Sequence, residues 1–432
     1  MVIAAAMQRR PGDSLPQQMG SWAQTKAAYR FFDNANVDYE TISRPHWEQT
    51  RQVAGHSGSV VLMVQDITDI NYSSKIATQG LGPIGRSDQG QGLMVHNTLA
   101  IVPTTQQVLG LAYQQVWIRD RVKRKGQESK AERLARTDRQ STRWERAVTV
   151  IGPPPPGVQW VHVGDCEADN FTLLETVRMW ACDFVFRLGQ NRRLAEWTPE
   201  QGHWVLTDTR QLTPQIRQSR TLIPQRGRPA RDVEFGITWA AMTLRSPKAE
   251  PQQRTFAGTV IRCWDLSPPS GEDPLDWILF TTVPVPDEAA ALQCLDWYAC
   301  RWIIEEYHAC LKTGCAVEAS HLRHHDRLLR RFAFVAIVAV SLLQLRHSAR
   351  QSPAQPAAEV VDPFLVQLIH RYDPTLNLNM SVHDFWQAVA RLGGYLARNR
   401  DPDPGWKSLW HGWLRLQDWA EGARFFLNSP PL

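Results

Sequence analysis

ALQCLDWYACRWIIEEYHACLKT, residues 291–313, is the stretch on which the reading of this chain turns. It holds neither Gly nor Pro and is long enough for about six helical turns. At roughly 100° per residue, steps of three and four bring Tyr298, Arg301, Glu305, His308 and Lys312 onto one narrow stripe. A carboxylate flanked by two cations and a phenol makes a poor core face. It suits a metal ion held beside a nucleic-acid phosphate. Any fold for this chain has to account for the spacing Y-x2-R-x3-E-x6-K.

Two upstream segments supply further acids. VVLMVQD (60–66) and VQWVHVGD (158–165) each read as a buried strand closing on an acid, Asp66 and Asp165. In a ribonuclease-H-like α/β fold, adjacent strand ends and one covering helix bring three such acids together. Carboxylates are hard oxygen ligands suited to Mg²⁺ or Mn²⁺. Two such ions about 4 Å apart activate water or a 3′-hydroxyl and stabilise the oxygen that departs from a phosphodiester. An acid closing a strand also commonly caps the turn that follows, and Asp69 and Asp169 stand close enough to compete for the same roles. The helix stripe makes the difference, because it presents Glu305 already surrounded by cations.

The composition is that of an ordinary soluble globular protein: 432 residues, 43% hydrophobic and 21% charged. That length allows two or three domains. The apolar run from Phe332 to Leu345 is too short to span a bilayer and reads as a buried helix. No secretory signal is evident in MVIAAAMQRR, so the expected compartment is the cytoplasm, in association with the nucleoid. Net charge is +5, and 40 of the 48 basic residues are Arg. Arg suits phosphate contacts, and a GC-rich genome produces the same bias. The seven Cys include no C-x2-C pair. Cys310 falls about 200° from His308 on a helical wheel, which argues for reduced thiols over a zinc site.

Along the chain, residues 1–58 read as mainly helical. HNTLAIVP (96–103) and VLGLAYQQVW (108–117) predict neighbouring antiparallel strands. The charged stretch 119–147 predicts helix, ended by PPPPG (153–157). A helix over 171–181 and a strand at FVFRL (184–188) follow. Residues 189–283 form a β-rich insertion, succeeded by the long helix, an apolar helix over 327–347, a Pro-rich loop and a helical tail. No internal repeat is present.

QDITDINY (65–72), GDCEAD (164–169) and YACRWIIEEYHACLKTG (298–314) resemble the DDE transposases of the IS-four group, Tn-five type, whose hallmark is the Y-x2-R-x3-E-x6-K signature. The resemblance runs from GSWAQTKAAYRFFDN (20–34) through GLGPIG (80–85) and PLDWILFTT (274–282). It ends in ARLGGYLARNRDPDPGWKSLWHGWLRLQD (390–418), which is similar to that group's C-terminal dimerisation segment. It implies that Asp66, Asp165 and Glu305 are the catalytic, metal-binding triad, with two ions of Mg²⁺ or Mn²⁺. It implies cut-and-paste transposition: strand nicking, hairpin formation and opening, and strand transfer at insertion-element ends. Tyr298, Arg301 and Lys312 match positions that hold DNA phosphates, and Arg187 a basic position near the active site. Trp277 matches a Trp that stacks on a flipped base. His308 is read as a hydrogen-bonding support, His321, His324 and His325 as exposed or DNA-facing, and RGRP (226–229) as a basic loop able to contact DNA.

Two departures bear on function. Ile303 stands where the signature usually carries a second basic residue, and most of the basic helical stretch that precedes GSW in the group is missing. A shortened, cleavage-deficient relic or inhibitor acting through dimerisation is therefore the rival reading. A ribonuclease-H-like nuclease would not need Trp277 or the dimer segment, and a purely structural DNA-binding regulator would not need three spaced acids. The expected architecture is a truncated helical DNA-binding domain (1–58), a ribonuclease-H-like catalytic domain (59–350) with its insertion at about 189–283, and a helical dimerisation domain (351–432). The expected partners are double-stranded DNA, at element ends and target, and a second copy of the chain; no membrane is expected.

Overall fold

In the computed structural model, which describes residues 2–85, 88–119, 140–222, 231–248, 253–269, 271, 274–398, 401 and 404–428, four helices lead into the sheet. They are α1 (Val2–Arg9), α2 (Leu15–Met19), α3 (Trp22–Asp33) and α4 (Tyr39–Ala54). Ser21 and Asp38 start α3 and α4 by accepting hydrogen bonds from the Gln24 and Thr41 amides, which satisfies donors that a first helical turn leaves open. RGRP (226–229) and much of the charged 119–147 stretch lie outside the described residues.

The β-branched run at residue 60 opens β1 (Val60–Asn71). It is followed by β2 (Gly82–Ile84), β3 (Gly90–Val102) and β4 (Gln107–Trp117). After α5 (Gln140–Ile151) come β5 (Gln159–Gly164), α6 (Phe171–Met179) and β6 (Asp183–Arg187). β1 pairs β5 and β5 pairs β6 in parallel, while β3 lies antiparallel to both β1 and β4. This is the ribonuclease-H-like α/β core that the sequence predicts. Helices cover both faces. On β3 the His96 ring meets Trp144 of α5 at 5.0 Å, while the next residue, Asn97, reaches His308 on the opposite face at 2.9 Å.

The β-rich stretch continues the same sheet. After α7 (Val205–Gln211), β7 (Ile216–Leu222), β8 (Arg231–Arg245), β9 (Thr255–Asp265) and β10 (Asp276–Thr281) form an antiparallel run. β10 joins it to β6 through pairs from Leu279↔Arg187 to Thr281↔Val185. The order is β2-β3-β1-β5-β6-β10-β9-β8-β7.

Two elements differ from expectation. β1 does not close on Asp66 but runs on to Asn71, because β3 keeps pairing with it as far as Asn71↔Gly92. The helix expected in one piece over 291–313 is divided into α8 (Glu288–Ala299), α9 (Trp302–Ala309) and a π-type turn, Cys310–Gly314. At the first break the amides of Arg301, Ile303 and Ile304 bond to carbonyls three residues back, at 3.0, 3.0 and 3.2 Å. That is a 3₁₀ tightening, which needs neither Gly nor Pro. Cys300 and Arg301 keep right-handed helical dihedrals, so the chain direction carries through.

α10 (His325–Gln351) is the apolar helix. It is long and apolar enough to cross a membrane, but 61% of its apolar window is buried in the protein, and Phe332, Ala333, Ala339 and Leu343 are essentially inaccessible. α11 (Pro363–Tyr372), α12 (Val382–Leu392) and α13 (Trp406–Asn428) close a second, smaller core around Phe385, Val389 and Leu416. α12 and α13 touch backbone to backbone. A Cβ on Gly412 would lie 1.7 Å from the Val389 carbonyl oxygen, so only glycine fits there.

Candidate active site

The β1–β5 register runs in parallel from Val60↔Gln159 to Val64↔Val163. Continued by two residues, it sets Asp66 beside Asp165, just where β5 stops. Asp165 begins a short 3₁₀ turn, and its carboxylate accepts from the Glu167 amide at 2.8 Å. Asp66 is largely buried within β1 and accepts from the Ile67 amide at 2.8 Å. Burial first, and then the charge of Asp165, push the Asp66 carboxyl up to about 7; Glu305 adds in the same direction, while the Ile67 amide and Arg301 oppose it. Three carboxylates therefore share one field.

α9 faces this point. Arg301 pairs with Glu305 at 2.7 Å and stands 3.9 Å from Asp66. The His308 Nδ1 also lies 3.9 Å from Asp66 Oδ2. A buried polar chain fixes that ring. Tyr39 donates to Gln114 Oε1 at 2.6 Å, Gln114 Nε2 donates to Asn97 Oδ1 at 2.6 Å, and the Asn97 amide donates to His308 Nε2 at 2.9 Å. With Nε2 accepting, the neutral imidazole carries its proton on Nδ1, the nitrogen toward Asp66. Burial, followed by the charges of Lys312 and Arg301, holds His308 down at about 3, so it is neutral. Asn97, Gln114 and Tyr39 were missed in the sequence. Asn97 and Gln114 are buried polar residues of β3 and β4 and Tyr39 opens α4, and nothing in the local pattern links the three to His308.

Lys312, on the π-type turn, reaches Asp69 at 3.4 Å. Tyr298 is only 3% exposed, and its ring packs edge-on against Trp277 at 5.1 Å. Trp277 is half-buried near the start of β10. Arg187 donates to the Asp276 carbonyl at 3.2 Å and is close enough to act on Tyr298 electrostatically. These three side chains form a shelf next to the acids.

Of the two competing acids, Asp69 stays at the site through Lys312, whereas Asp169 is engaged elsewhere. Asp169 is buried in a structural knot, pairing with Arg192 at 2.7 Å and accepting from the amides of Gly189 and Gln190 at 2.9 and 2.7 Å. His321 and His324 are exposed and His325 half-buried. All seven cysteines are free.

Residues 104–341, more than half of the chain, match the family described as Transposase DDE domain. This chain belongs to that family. Residues 1–37 also match the family described as Transposase DNA-binding. Among solved structures, the piggyBac transposase synaptic complex with hairpin DNA is similar over 87% of this chain and 55% of that one, at 10% identity and a TM-score of 0.35. The chain thus spans about half the length of that protein, and the likeness is too distant to bear on function. DDE transposase domains depend on a divalent metal, generally Mg²⁺. Among the described residues no three His, Cys, Asp or Glu side chains are gathered tightly enough to share an ion as they stand. The donor set nevertheless fits one: three hard carboxylates, one of them raised in proton affinity by burial first and then by the charges of the other two, are a suitable place for a divalent cation.

Proposed function

We propose that this DDE transposase is of the IS-four group, Tn-five type, and moves an insertion element by cut and paste. The observation that carries the proposal is the electrostatic convergence of Asp66, Asp165 and Glu305 beneath Arg301. Asp66, Asp165 and Glu305 would hold the divalent ions, two per site. Bound there, Mg²⁺ or Mn²⁺ supplies Lewis-acid charge and a nucleophile at neutral pH. In this reading water nicks one strand, the freed 3′-hydroxyl attacks the opposite strand to form a hairpin, water reopens it, and the 3′ end joins target DNA.

The chain's own residues do the positioning. Arg301 and Lys312 meet phosphate oxygens with charge-assisted hydrogen bonds. His308, neutral and anchored by Asn97, keeps its Nδ1 turned toward Asp66 at 3.9 Å. Trp277 supplies the face on which an extruded base stacks, with Tyr298 packed against it toward the phosphates and Arg187 as a cation beside them. Residues 1–58 grip the element end, residues 59–350 carry the chemistry, and residues 351–432 pair two copies on two ends, in the cytoplasm on nucleoid DNA.

The test is cleavage of a duplex carrying the element's end by the purified chain with Mg²⁺ or Mn²⁺. Metal-dependent nicking that falls by about 10³-fold or more in Asp165→Ala supports the proposal. A folded protein that binds the duplex and never nicks it supports the relic or inhibitor reading instead.

A further inference from the structure

Arg331, two turns into α10, is 5% exposed. Among the described residues its guanidinium has neither a hydrogen bond nor a carboxylate partner. The ionisable side chains that act on it are Tyr72, Cys315 and Tyr29, two phenols and a thiol, with no carboxylate among them. Arg192, buried to a similar depth, has Asp169 at 2.7 Å. A buried cation left without a counter-charge is costly, which favours an anion beside Arg331.

Arg331 opens on a cavity of about 580 Å³. Two more cations, Arg323 and Arg327, line it, together with Ser14, Ser320 and Tyr29. Arg327 also pairs with Asp33. One carboxylate lies among the described lining residues, Asp13, and it pairs with Arg10 at 3.4 Å. The walls come from residues 12–16, inside the segment matching Transposase DNA-binding, and from residues 316–323, just past the π-type turn that carries Lys312.

We propose that this cavity binds a phosphate group, with Arg331 as its buried anchor. A planar guanidinium matches phosphate bidentately, and burial strengthens the pair relative to one in water. The phosphate comes either from a DNA strand, a source that rests on the transposase reading above, or from free phosphate, which does not.

The experiment follows thermal unfolding of the full chain in inorganic phosphate against chloride at equal ionic strength. It is paired with duplex binding measured across a salt series, for the wild type, Arg331→Met and Arg331→Lys. With free phosphate as the ligand, phosphate raises the wild-type midpoint by about 2 °C or more, has a smaller effect on Arg331→Lys and none beyond chloride on Arg331→Met. With a DNA phosphate as the ligand, Arg331→Met weakens duplex binding alike for all sequences and makes the slope of log K against log salt shallower by about one. If Arg331→Met does not fold, Arg331→Lys and the wild-type comparison decide. A phosphate effect equal in all three proteins, or no effect in either measurement, overturns the proposal. Neither readout uses cleavage, so a failure of the catalytic reading is seen separately.

Discussion

Arg301 holds Glu305 in a 2.7 Å ion pair on the face of α9 that looks toward Asp66. An ion settling among the acids has to draw Glu305 away from that guanidinium. Arg301→Gln is therefore expected to tighten Mn²⁺ binding, by about fivefold from the loss of one competing pair. It should weaken duplex binding at the same time, since the same group meets phosphate. Calorimetric titration with Mn²⁺ checks the first effect and a gel-shift the second. Two changes of the same sign would disprove the competition.

Asp66 is expected to limit the stability of the metal-free protein. Its carboxylate is buried against Asp165 and Glu305, and Asp66→Asn removes one of three like charges. The variant should melt above the wild type in EDTA, and Mg²⁺ should raise the melting temperature of the wild type only. A variant that melts below the wild type in EDTA contradicts the repulsion.

Acid should destabilise the fold well above the ordinary carboxylate range, Asp66 alone, raised to about 7, taking its proton earlier. Burial holds His96 and His162 down at about 3 and His46 at about 4, against 6.5 in an open chain. Unfolded, these rings take up protons that they refuse when folded. Their stabilising contribution is complete above about pH 6.5 and is lost as pH falls toward 4, at up to about 1.4 kcal/mol per pH unit for each ring. His96→Leu is expected to lower proton uptake on unfolding at pH 5 by about one, measured from the pH dependence of the urea midpoint.

The contact between α12 and α13 predicts opposite signs for two glycines of one helix. Gly412→Ala drives a methyl into the Val389 carbonyl and should cost about 1–3 kcal/mol or more. Gly422→Ala meets nothing within 4 Å and should gain about 0.5–1 kcal/mol in helix propensity. Urea unfolding of both variants reads the contrast.

At the tip of α13, Phe425, Phe426 and Leu427 are 69%, 77% and 74% exposed. In the proposed homodimer this apolar tip is covered by the second copy. The pair of changes Phe425→Glu and Phe426→Glu should leave a monomer where the wild type sediments as a dimer. An unchanged mass would remove the tip from the interface.

Much of this arrangement was legible from residue types alone. The runs around 60–66 and 158–165 named the two strands that bring Asp66 and Asp165 side by side, and helical spacing aimed Arg301, Glu305 and His308 at them. The end of β1 was misplaced because its pairing is decided by a strand that begins at Gly90, which local pattern cannot see. The break at residues 300–301 carries no Gly or Pro, since tertiary packing rather than propensity tightens that turn. Asn97 and Gln114 were invisible as support for His308, because their roles depend on which face of β3 and β4 meets α9.

The added strands lean on one another in series. β10 docks on β6, β9 on β10, β8 on β9 and β7 on β8, and Arg220 of β7 also reaches Asp296 of α8 at 3.6 Å. Trp277 belongs to the layer nearest the acids, whereas Arg217 and Arg220 stand on the outermost. On the proposed role, changes along the outer hairpin are expected to alter contact with a duplex while the carboxylates stay where β1, β5 and α9 hold them.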